Sequence, residues 1–203
     1  LVVPVFDGSW RGPRLARPSF CATAASPARP APSYDDARSV VVGQNGAMTM
    51  LNEAPTAIHR GDDELPWVDL GDGVELKVLQ VNINHGLWVI RNRFAPGAAV
   101  QIHKHTGQVF AFTHSGSWKY KESDYVNTAG SYLYEPAGSV HTLIVPDTNT
   151  EVTDVHFAIY GANLNLDAGG NVEMVIDAGL ILQVYRAMCE AIGQPDPPVI
   201  VDV

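Results

Sequence analysis

Three histidines carry most of the chemical information in this sequence: His103 and His105, separated by Lys104, and His141. On an extended strand, residues i and i+2 point to the same face, roughly 6.6–6.8 Å apart along the chain, so the imidazoles of His-x-His can lean together onto one ion. A third imidazole from a neighbouring strand would complete a facial set of nitrogen ligands. The plain alternative for His-x-His is two histidines on a half-exposed strand. The 203 residues include 13 Lys plus Arg, 22 Asp plus Glu and seven histidines, for a net charge of −9. Nucleic-acid affinity comes largely from Lys and Arg displacing counterions, so this acidic, lysine-poor balance disfavours it. No apolar run reaches the roughly 18 residues of a membrane span. Cys21 and Cys189 lie far apart in the chain. That suits reduced thiols in a cytoplasmic protein better than a disulfide framework.

The elements that must position these histidines read as short strands. Val74–Val81, Gly86–Phe94, Val100–His105, Val109–His114, Trp118–Lys121, Ser131–Glu135, His141–Val145 and Val152–Tyr160 follow one another at short intervals. Gly and Pro punctuate them, as in Ala95-Pro96-Gly97 and Pro136-Ala137-Gly138. Such spacing predicts an antiparallel sandwich or barrel. In the first strand Val74, Leu76, Val78 and Gln80 share a face. One helix is predicted over Asp177–Ile192, with Asp177 as N-cap, Leu180, Val184 and Met188 on one face, and Gly193 with Pro195 ending it. Composition changes near Met48. Residues 1–53 form a Pro- and Arg-rich, irregular N-terminal arm with some transit-peptide cues, and residues 54–203 form the folded domain. The first 47 residues hold six prolines, five arginines and three acids, a charge of +2; the remainder, with 19 acids against eight Lys plus Arg, carries −11.

Around the histidines the punctuation has a pattern. Gly97 stands six positions before His103 and Gly116 eleven after His105, and Gly130-x5-Pro136-x-Gly138-x2-His141 follows. These residues resemble both sequence motifs of the cupin superfamily, position by position from Gly97 to Val145. The resemblance implies an all-β double-stranded β-helix (jelly-roll) barrel with a metal at its mouth, held by His103, His105 and His141. Two positions depart from the motifs. The usual acidic ligand falls on Val109 or Phe110, and the usual closing Asn is Val145; Gln108 is one step out of phase. The expected shell is therefore three neutral imidazoles with no carboxylate, which leaves a divalent ion its full charge for an anionic bidentate ligand. Three-histidine cupins are similar to non-heme iron dioxygenases. Within them His103–Phe112 and Tyr134–His141 most resemble the 2,4′-dihydroxyacetophenone dioxygenases, which convert an aryl α-hydroxyketone and O2 to 4-hydroxybenzoate and formate. The resemblance implies Fe(II), with Zn an alternative as purified. The partners it implies are a small aromatic hydroxyketone and O2, with no nucleic acid and no membrane, and the chain is expected to form a homo-oligomer (dimer or tetramer). A β-diketone or thiol dioxygenase and a non-catalytic zinc-binding sensory cupin stay open beside it.

Further residues have paired readings. Glu135, six before His141, is either a base or hydrogen-bond acceptor in the pocket or a carboxylate turned to solvent. Tyr120 is either a substrate hydrogen-bonder or a core tyrosine. Arg93 either neutralises a phenolate or carboxylate or lies on the surface. His59, His85, His114 and His156 read as structural or surface histidines.

Overall fold

The computed structural model describes residues 56–202, together with two short strands, β1 (Val41–Val42) and β2 (Met48–Thr49), which pair antiparallel. The remainder of the arm assigned to residues 1–53 lies outside the described residues. The chain separates into two units, Leu1–Thr56 and Ala57–Val203, and everything below concerns the second.

In chain order this unit contains β3 (Val68–Gly71), β4 (Val74–Asn82), β5 (Leu87–Phe94), β6 (His103–His105), β7 (Val109–Ser115) and β8 (Ser117–Tyr120). Next come β9 (Asn127–Thr128), β10 (Tyr132–Glu135), β11 (Val140–His141), β12 (Leu143–Ile144), β13 (Thr153–Tyr160), β14 (Asn163–Leu166) and β15 (Val172–Ile176). A helix, α1 (Ala178–Ala191), and a closing strand, β16 (Ile200–Asp202), complete it. The large sheet runs β10-β7-β13-β5-β4-β16, with β3 also paired to β4. Opposite elements form the sheets β11-β6-β14-β15 and β12-β8-β9. Residues from all three sheets line one cavity. This is the all-β jelly-roll barrel with a C-terminal helix that the sequence leads one to expect.

Strand parity decides which side chains reach the interior. Along β5, Trp88, Ile90, Asn92 and Phe94 are buried while the residues between them are not. In β4 the expected face holds through Leu76 and Val78, then shifts: the ladder to β5 slips between Val78 and Gln80, so Val81 rather than Gln80 continues the buried row. An inserted residue at a β-bulge reverses the inward parity beyond it.

The helix begins and ends as expected. Asp177 accepts a hydrogen bond from Leu180 N at 2.8 Å. At the other end Gly193 N donates to Glu190 O and Gln194 N to Cys189 O, a Schellman arrangement with Gly193 at φ +76°. Its buried face differs from the expected one, however. Ile181, Leu182, Tyr185 and Cys189 face the core, whereas Val184 is exposed. The helix carries two apolar stripes, and docking against β4 and β3 selects the one whose Tyr185 hydroxyl donates to Pro66 O at 2.6 Å.

Two motif glycines have clear structural causes. A Cβ at Gly116 (φ +69°) would sit 2.6 Å from Thr153 Cα, so the turn between β7 and β8 admits no side chain. Gly138, at φ +90°, closes the Pro136 turn, and its N–H donates to His105 O at 2.8 Å. In return His105 N donates to Ser139 O at 3.0 Å. The second motif's turn thus fixes the backbone of the first motif's histidine.

Candidate metal centre

His103 and His105 project from the same face of β6, and β11 pairs with that strand so that His141 lies opposite His103. All three side chains are buried. Their Nε2 atoms converge: His103 to His105 and His105 to His141 are both 3.1 Å. His103 Nδ1–H donates to Gln101 O at 2.8 Å, which leaves the Nε2 lone pair facing the cluster. Burial, reinforced by the neighbouring imidazoles, lowers His105 to about 3; burial and His103 lower His141 to about 3. Burial also lowers His103. Three neutral imidazoles whose Nε2 atoms converge form a donor set suited to a transition-metal ion. Two ligands at right angles on such an ion, with bonds near 2.1 Å, lie roughly 3 Å apart, which matches the spacing here.

Beside the three imidazoles lies a carboxylate, which places Glu135 in the pocket rather than turned to solvent. Glu135 is 4 % exposed, and its Oε2 lies 3.1 Å from His141 Nε2 and 3.4 Å from His105 Nε2. Its Oε1 accepts a hydrogen bond from the Tyr120 hydroxyl, and Ser139 Oγ donates to Oε2 at 3.2 Å. The origin of this carboxylate lies in strand register. β10 pairs with β7 so that Glu135 is the direct partner of Val109, the position where the first motif ordinarily carries its acid. Directly opposed residues have Cβ atoms about 4.5–5.5 Å apart, so a carboxylate can reach the same place from the adjacent strand. Burial pushes the Glu135 carboxyl up, while the Tyr120 and Ser139 hydrogen bonds pull it back. Tyr120 is itself buried, its pKa raised by burial and by Glu135, and its ring stacks on His141 with centroids 3.6 Å apart.

Arg93 does not join the site. Asn92 and Phe94 point inward, so parity turns Arg93 outward, where its guanidinium lies 4.1 Å over the Trp67 ring and 3.4 Å from Asp154 Oδ2. Arg91, on the same outer face, pairs with Asp154 at 2.6 Å. The other histidines keep their ordinary readings. His59 is exposed, His85 lies 3.0 Å from Asn82 Oδ1, and His114 and His156 pack ring to ring on the outer face.

The comparisons with known proteins agree with the fold. Residues 56–159 match the family model of the ChrR cupin-like domain. The chain belongs to the ChrR cupin-like family. A cupin-like-fold protein of unknown function from Ralstonia eutropha JMP134 is 30% identical, over 75% of this chain and 96% of that one, with a TM-score of 0.70. An RmlC-like cupin from the same organism is 28% identical, over 68% and 88%, at 0.63. An acetylacetone dioxygenase from Acinetobacter johnsonii shares the fold at 17% identity, over 67% and 94%, at 0.58. No curated protein matches. No helix among the described residues is long and apolar enough to cross a membrane.

One member of this ChrR cupin-like site was missed by sequence reasoning. Asn163 on β14 opposes His105 across the β14–β6 ladder and lines the cavity. His105 Nδ1 and Asn163 Oδ1 are both buried without a hydrogen-bond partner among the described residues, and the neighbouring Asn163 opposes the lowering of the His105 pKa. The segment Asn163–Leu166 alternates Asn and Leu, and Asn is depleted from strands, so its strand character was hidden.

The depressed histidines set a pH dependence. Between about pH 6.5 and pH 3 the unfolded chain binds protons at His105 and His141 that the folded chain does not. Stability of the metal-free protein therefore falls as pH drops through that window. Each histidine removes about 2 kcal/mol by pH 5, partly offset by Glu135, whose raised pKa acts in the opposite sense. Urea midpoints of metal-free protein at pH 7.5 and pH 5 check this; equal midpoints would contradict buried neutral imidazoles.

Proposed function

We propose that this protein is a metal-dependent dioxygenase that cleaves the bond between the carbonyl and carbinol carbons of an aryl α-hydroxyketone, giving an aryl carboxylate and formate. The observation carrying this reading is the convergence of three neutral imidazoles and one buried carboxylate at one end of an apolar cavity. His103, His105 and His141 would hold Fe(II). A bound ferrous ion would polarise the ketone and supply the one-electron chemistry that lets O2 react. Glu135 would be the proton acceptor: its Oε2 lies 3.1 Å from His141 Nε2, beside the residues that would hold the ion, and its raised pKa favours accepting a proton. Tyr120 holds the other carboxylate oxygen, and Ser139 donates to Oε2, so the acceptor keeps one orientation. The apolar walls exclude bulk water and contact the aryl ring. The fold shared with an acetylacetone dioxygenase supports the scaffold's suitability only.

A second reading rests on Glu135 itself. Three histidines and a carboxylate within reach of one ion are also the four ligands of a closed tetrahedral zinc site in a non-catalytic sensory domain. Oxygen consumption with product analysis separates the two. Iron-loaded protein mixed with 2,4′-dihydroxyacetophenone in air is expected to form 4-hydroxybenzoate and formate, one of each per O2. Stoichiometric zinc as purified, with no oxygen uptake after iron loading, would overturn the dioxygenase reading.

A further inference from the structure

The polar groups lining the cavity cluster at its histidine end, with one exception, Asn92. This residue is 7 % exposed and faces inward between Ile90 and Phe94 on β5. Its cross-strand neighbours are Leu76 on β4 and Val155 on β13. Its amide nitrogen donates to Glu75 O at 3.0 Å. Because that carbonyl can only accept, the amide orientation is settled: Oδ1 is on the other side, and among the described residues no donor reaches it. That oxygen is open to the cavity, so water or the donor of a bound ligand completes it.

Ladder registers place Asn92 relative to the metal centre. Glu135, Val109, Ile159 and Trp88 form one row across the large sheet, which marks the histidine end. Asn92 lies two rows further along β5, roughly 13 Å from Trp88 at the backbone. Asn92 thus faces the cavity away from the histidine end, where the far end of a metal-bound aryl ketone would lie.

We propose that Asn92 Oδ1 accepts a hydrogen bond from a hydroxyl at the substrate end remote from the metal, which selects para-hydroxylated aryl ketones in their neutral phenol form. This rests on the hydroxyketone reading above. It also replaces the role considered for Arg93, which faces away from the cavity: the site meets the phenol with an acceptor rather than a cation.

The test measures binding rather than turnover. Zinc-loaded full-length protein is titrated calorimetrically with 2,4′-dihydroxyacetophenone, with 2-hydroxyacetophenone, and with the 4′-methoxy analogue, which cannot donate. Wild type is expected to bind the phenol about tenfold more tightly than either of the others, the size of one buried hydrogen bond. In Asn92→Leu the preference should fall below about twofold, with affinity for the unsubstituted ketone retained. Equal binding of all three ketones to wild type overturns the Asn92 assignment alone. So does a uniform loss in Asn92→Leu, which would mark a merely structural amide. Failure of wild type to bind any of them overturns the hydroxyketone reading and the Asn92 assignment together.

Discussion

His105→Ala is expected to abolish stoichiometric metal binding and oxygen uptake together. His105 is the central member of the cluster, with its Nε2 3.1 Å from the Nε2 of both His103 and His141. Removing it leaves two imidazoles that no longer share a neighbour. Loss of a hydrogen-bond partner to a ligand typically weakens metal binding 10–100-fold, so loss of the ligand itself should exceed about 100-fold. The fold should persist in part, because the backbone of this position is still tied to the Pro136 turn through Ser139 O and Gly138 N. Elemental analysis after dialysis, with circular dichroism as the folding control, measures the outcome. Full metal occupancy in a folded His105→Ala protein would remove the three-histidine centre from consideration.

Glu135→Gln should have the second-largest effect, with a different profile. The amide preserves shape and still accepts from Tyr120, but it carries no charge and takes up no proton at this site. If Glu135 moves a proton during turnover, kcat should drop by about 10²–10⁴-fold, the usual contribution of a positioned base. Metal content should fall far less than in His105→Ala, since the imidazoles remain. Metal loss equal to that of His105→Ala would instead identify Glu135 as a fourth ligand and favour the closed zinc site. Unchanged turnover with metal retained would leave the carboxylate without a chemical role. Because the carboxylate is held between Tyr120, Ser139 and two imidazoles, Glu135→Leu would leave the Tyr120 hydroxyl buried without its acceptor and is the less informative substitution.

Much of this architecture is local in origin and so was legible in the sequence. The Asp177 cap, the Gly193 terminus and the His103/His105 pair each depend on a few adjacent residues and a fixed period. What escaped depended on pairing. The bulge in β4, the choice between two apolar stripes on α1 and the strand character of Asn163–Leu166 are all settled by neighbours distant in the chain.

The sequence by itself placed His103 and His105 on one face, because strand parity is a short-range constraint, and the resemblance of the surrounding Gly and Pro positions to the cupin motifs implied that His141 joins them. Only the tertiary structure decided that an acid joins them. Val109 occupies the motif's acidic position, and nothing along β7 supplies a carboxylate; the β10–β7 register places Glu135 directly across from it. The same long-range registry sends Arg93 out to Trp67 and Asp154 and leaves Asn92 facing the cavity. A side chain's position along a strand is written locally. Which other strand it faces, and hence what chemistry it completes, is set by how the sheets pair.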